Sequence, residues 1–160
     1  MTSLKMGEFC KLAERINAKF NIKPLLYGSL GLQMLVDEPL NADDIDVLVP
    51  LEYLGEKWEL LCALMGEEGY ALIDLHEHTF LKDETKISFA KIDDLKEYAG
   101  IDLSKASVII QNNAEFMLLN LSQYLNVYVK SSEDSYRRNK NNSKDFEKIA
   151  IIKKHVGSSI

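Results

Sequence analysis

Residues 27–49 read YGSLGLQMLVDEPLNADDIDVLV. Just before it stands Pro24, which stops any preceding helix, so Leu25-Leu26-Tyr27 reads as a short strand. Gly28-Ser29 turns the chain into the helical segment LGLQMLV, which Pro39 ends. Residues 45–49, Ile-Asp-Val-Leu-Val, form a second strand rich in β-branched residues and closed by Pro50. Residues two apart on a strand share a face, so Asp44 and Asp46 project together while Ile45 and Val47 enter the core. Beyond Asp46 the strand is wholly apolar, which predicts burial of its middle on both faces.

Chemistry follows from that placement. Two carboxylates crowded at the mouth of a buried strand repel each other, a divalent cation relieves the repulsion, and oxygen ligands suit Mg²⁺. An Asp-x-Asp pair alone is weak, since about one arises by chance in a chain this rich in Asp. The bland alternative is a solvated turn before the strand. Gly28-Ser29 supplies a second feature. A strand that feeds directly into a helix leaves free backbone N–H groups at the helix start, where Gly admits a phosphate closely and Ser adds a hydroxyl. Ser29 by itself would read as a plain helix cap. The two features on successive strands together point to a metal and phosphate site.

Outward from this stretch, Leu4, Phe9, Leu12, Ile16 and Phe20 mark an amphipathic helix over 3–20. After Pro50 a helix is expected over about 51–65, then short strands at 70–75, 79–81 and 86–90, with KDET as the turn between the last two. A further strand is expected over 107–110. Asn112 or Asn113 is read as the cap of a helix reaching about Val129, with Phe116, Leu119 and Tyr124 on its apolar side. A polar loop over 130–142 and a final helix capped by Ser143 complete the order. The expectation is one domain over 1–160, with C-terminal helices from about 112. Its fold is α/β of the α+β type, a mixed sheet with packed helices.

Composition narrows the class. The chain has 160 residues, 46% of them hydrophobic and 28% charged, as in an ordinary globular protein. No apolar run approaches membrane-spanning length, and the N-terminus has no secretory h-region, so a cytoplasmic protein is expected. Nineteen basic against 25 acidic side chains give a net charge of −6, which argues against a general nucleic-acid surface. Cys10 and Cys62 fall in helices and read as buried thiols. His76 and His78 would share a strand face, but with no further ligand nearby they read as exposed histidines.

The stretch YGSLGLQMLVDEPLNADDIDVLV resembles the signature of the DNA polymerase β-like nucleotidyltransferase superfamily: an apolar residue, Gly-Ser, a helix, then Asp-x-Asp on a strand. The resemblance is strong over about 27–49 and looser downstream, and is closest to small stand-alone bacterial members. It implies that Gly28 and Ser29 hold a nucleoside triphosphate, ATP or GTP, and that Asp44 and Asp46 hold Mg²⁺ and are catalytic. The family usually adds a third carboxylate on a later strand. In Thr85-Lys86-Ile87-Ser88-Phe89-Ala90 that position falls on Ser88, which neither binds metal well nor activates a hydroxyl. Asp74, Glu77, Asp83 or Glu84 would substitute under a different register, Asp74 foremost. The segment from Arg137 to Asp145 resembles a basic element some small nucleotidyltransferases carry before a late helix, so Arg137 and Lys144 are candidates to steady the triphosphate, with a solvated loop as the alternative. The expected function is Mg²⁺-dependent transfer of a nucleoside monophosphate to an acceptor hydroxyl on a small molecule or protein. Its rival is a catalytically impaired protein of the same fold, binding a nucleotide or a protein partner as a regulatory or antitoxin-like module.

Overall fold

In a computed structural model describing residues 4–36, 44–95, 100–103, 106–133 and 147–155, seven strands form one mixed sheet. Helix α1 (Leu4–Phe20) leads into strand β1 (Leu25–Tyr27), helix α2 (Gly28–Val36) and strand β2 (Asp44–Val49). A 3₁₀ turn (Leu51–Leu54) and helix α3 (Trp58–Glu67) follow. Next come β3 (Ala71–Asp74), β4 (Thr79–Lys82), β5 (Thr85–Lys91), β6 (Ser107–Gln111) and β7 (Ala114–Leu118). Helix α4 (Leu121–Glu133) and helix α5 (147–155) close the order.

The sheet runs β3-β4-β5-β2-β1-β7-β6. The β2–β5 and β1–β7 pairs are parallel, and the other four are antiparallel. Register partners share a face, which divides the central strands cleanly. Ile45, Val47, Ile87, Phe89, Leu26 and Leu118 lie on one face and are all buried. Helix α1 packs there, with Phe9 meeting Phe116 edge to face at 4.9 Å. On the other face the β2–β5 register sets Asp44 beside Lys86 and Asp46 beside Ser88.

Asn17 locks α1 to the sheet. Its Nδ2 donates to the carbonyls of Ile22 and Glu115, both at 2.9 Å, and its Oδ1 accepts from Glu115 N–H at 2.8 Å. At the far end of α3, Arg15 and Lys19 of α1 pair with Glu67.

Three sequence expectations need correction. The helix expected over 51–65 divides into the 3₁₀ turn and α3, because Gly55 and the polar Glu56-Lys57 interrupt it. The helix expected from Asn112 or Asn113 is instead a hairpin. Both asparagines have positive φ (52° and 67°), the backbone of a type I′ turn, and they join β6 to β7. Helix α4 starts later, where Asn120 and Gln123 cap each other reciprocally: Gln123 N–H donates to Asn120 Oδ1 at 2.8 Å and Asn120 N–H to Gln123 Oε1 at 2.9 Å. The α4 helix also runs to Glu133, into the segment expected to be loop.

Candidate metal and phosphate site

The site forms where β1 hands over to α2 beside the start of β2. Gly28 takes φ +67°, which an L side chain rarely adopts, and opens α2 in a single step. The space its missing side chain leaves is filled by Asp46. A Cβ built on Gly28 would collide with Asp46 Oδ2 and lie 3.2 Å from Cγ. Tyr27, one residue earlier, is the β1 register partner of Asp46. The carboxylate of Asp46 is thus held at the N-terminal end of α2, with Ser29 in that helix's first turn.

Helix α4 braces this arrangement from behind. Tyr124 is fully buried, and its hydroxyl donates to the Gly28 carbonyl at 3.3 Å. Gly31 makes room for it, since a Cβ there would collide with the Tyr124 hydroxyl and approach Leu26 O at 2.9 Å. The Tyr124 ring lies nearly parallel to Tyr27 (6.2 Å, 13°) and to Tyr128 (6.1 Å, 14°). Burial pushes the Tyr124 phenol well above its ordinary pKa, and the neighbouring Tyr128, Tyr27 and Asp46 push it further. Sequence reading missed this residue's part. It names Tyr124 only as an apolar helix position, and no local signal links it to Gly28, 96 residues away.

Ser88 occupies the strand position beside Asp46, and its Oγ lies 2.8 Å from Thr79 Oγ1. Asp74 stands elsewhere. The row Asp46, Ser88, Thr79, Asp74 crosses β2, β5, β4 and β3, so three strand spacings, about 14 Å, separate the two carboxylates. Asp74 Oδ1 accepts from Glu77 N–H at 3.1 Å, which makes it a turn cap. Glu77 itself lies in the exposed turn after β3, and Asp83 and Glu84 form the β4–β5 turn. His76 and His78 also lie in a turn, with His78 at φ +53° and its ring 4.9 Å from Trp58. Arg137 and Lys144 lie outside the described residues.

Asp44 and Asp46 share a face at the exposed end of β2, and among the described residues no group of three His, Cys, Asp or Glu gathers to hold an ion. Two such carboxylates fit a hard cation that draws its remaining ligands from water and a phosphate, the usual arrangement for Mg²⁺. They do not make a closed all-protein cage.

This is a nucleotidyltransferase-like fold. The chain is similar to the crystal structure of an antigenic nucleotidyltransferase-like protein from Paracoccidioides brasiliensis, with a TM-score of 0.63 and 10% identity, over 95% of this chain and 77% of that one. It belongs to the family of the uncharacterized protein YnaI of Bacillus subtilis (strain 168), to which it is 44% identical over 150 residues, covering 94% of this chain and 96% of that protein. No family model matches the chain. Among the described residues, no helix is long and apolar enough to cross a membrane.

Proposed function

We propose that the protein binds a Mg²⁺–nucleoside triphosphate, ATP or GTP, and uses it chiefly as a bound ligand rather than as a donor of nucleotidyl groups. Asp44 and Asp46 would hold the cation, while Gly28, Ser29 and the first turn of α2 would hold the phosphates. The observation that carries this reading is the pairing of Asp46 with Ser88, whose hydroxyl is taken up with Thr79. A serine there supplies no general base for an incoming hydroxyl, so chemistry that depends on positioning and charge lacks one of its parts. In this reading the protein works in the cytoplasm, where nucleoside triphosphates are made.

A second reading keeps the transfer step. The intact Gly28–Asp46 contact favours it, since phosphate and metal would still meet in one place. A nucleoside monophosphate would then pass to a hydroxyl on a small molecule or protein that brings its own base.

Isothermal titration of Mg²⁺–ATP and Mg²⁺–GTP into the full chain tests both, with Asp44→Asn/Asp46→Asn as control. Binding that needs Mg²⁺ and disappears in the double variant supports the site. A folded protein that binds neither nucleotide sinks it. Transfer of label from an α-labelled nucleotide onto any acceptor would favour the second reading.

A further inference from the structure

Directly beside Asp44 and Asp46, strand β5 contributes two side chains to the face that they share. One is the neutral Ser88; the other is Lys86, the register partner of Asp44. Lys86 is exposed, so its ammonium is free to follow an anion seated over the strand ends. Adjacent strands lie about 4.8 Å apart, well within the reach of a lysine stem. Where β2 and β5 lie side by side, the described charges on this face are therefore two negatives, Asp44 and Asp46, and one positive, Lys86; Asp74 shares the face but stands three strands from Asp46.

That total bears on how many cations the site takes. Two divalent ions about 3.5–4 Å apart repel strongly and need several carboxylates around them. Among the described residues, only Asp44 and Asp46 stand on this part of the face, and the next strand offers a cation. We propose that the site takes a single divalent cation, brought in with the nucleotide, and that Lys86 supplies in a fixed form the positive charge a second ion would bring, contacting the triphosphate. The ligand class is a monometallated nucleoside triphosphate. The inference rests on the nucleotide-binding reading above and adds to it a stoichiometry and a residue. Lysine suits the role, as a point charge on a flexible stem.

The test is Mn²⁺ titration followed by electron paramagnetic resonance, using the full chain and a non-hydrolysable ATP or GTP analogue. One Mn²⁺ per chain at saturation is expected. At saturating Mn²⁺, Lys86→Ala should weaken the analogue about tenfold, as loss of one charge-assisted contact would. Lys86→Arg should keep most of the affinity, which separates lost charge from damage to the strand. Two Mn²⁺ per native chain, or unchanged affinity in Lys86→Ala, overturns the assignment while leaving nucleotide binding intact. Failure of the native chain to bind Mn²⁺ and analogue at all overturns both.

Discussion

Asp46 lies where Gly28 would carry a side chain: a Cβ on Gly28 would run into Oδ2 of Asp46. The glycine is held at φ +67° by the step from β1 to α2, so the same position resists substitution for two reasons, backbone conformation and space. Gly28→Ala should cost about 2 kcal/mol or more, from the left-handed backbone and from overpacking. Because Asp46 must then move, Mg²⁺–nucleotide affinity should fall as well. Urea unfolding and calorimetry on the same variant measure the two effects.

Tyr124 and Gly31 form a coupled pair. Tyr124→Phe removes the hydroxyl that donates to the Gly28 carbonyl and should cost about 1 kcal/mol. Gly31→Ala should cost more, but less in the Tyr124→Phe background, because the phenylalanine vacates part of the space the new methyl needs. A double-mutant cycle should return a coupling of about 0.5–3 kcal/mol; strict additivity would count against the contact.

Asn17→Ala strips three hydrogen bonds that tie α1 to Ile22 and to β7. Two of them serve the backbone N–H and carbonyl of Glu115. The expected loss is about 2–3 kcal/mol, read from the shift in the urea midpoint at unchanged m-value.

Alkaline pH should unfold the protein earlier than its carboxylates alone would predict. Burial raises the Tyr124 phenol well above 10, and burial with the nearby Glu8 carboxylate raises Tyr70 likewise. Below pH ~10 both phenols are protonated in the folded and unfolded chains, and the stability tied to them is fully present. Above it the unfolded chain releases protons that the folded chain retains, so stability declines toward the folded-state values. Tyr124→Phe should flatten the fall in urea midpoint between about pH 10 and 12.

Ser88→Asp would set a carboxylate beside Asp46 on the shared face. Without metal, the added repulsion and the lost Thr79 contact should lower stability by about 1–2 kcal/mol. With Mg²⁺ the thermal midpoint should recover, and by more than in the native protein. A thermal shift independent of Mg²⁺ would argue that Asp44 and Asp46 are not ligands.

Much of this arrangement is legible in the sequence. The alternation in Thr85–Ala90 sets Ser88 on the outward face, and the β-branched run after Asp46 marks a central strand. The hairpin at Asn112-Asn113 is harder to read, because asparagine favours helix caps and left-handed turns alike. The following Ala-Glu-Phe-Met-Leu is too short to decide between periods of two and 3.6, while the true cap, Asn120 with Gln123, lies just beyond. Lys86 and Tyr124 enter the site through pairing and packing between distant segments, which no local pattern encodes. Asp74 looks eligible by its apolar surroundings, yet only the strand order reveals how far it stands from Asp46.

Strand β1, three residues long, sits between β2 and β7. Its inner edge finds a partner some twenty residues later, but its outer edge waits for Met117 and Leu118. A ribosome releasing this chain therefore exposes an apolar strand edge until Met117 and Leu118 have emerged. Pairings of such long sequence separation are slow to close. Truncations short of residue 118 should accordingly form aggregates rather than a smaller working protein, however complete their Gly28-Ser29 and Asp44–Asp46 motifs.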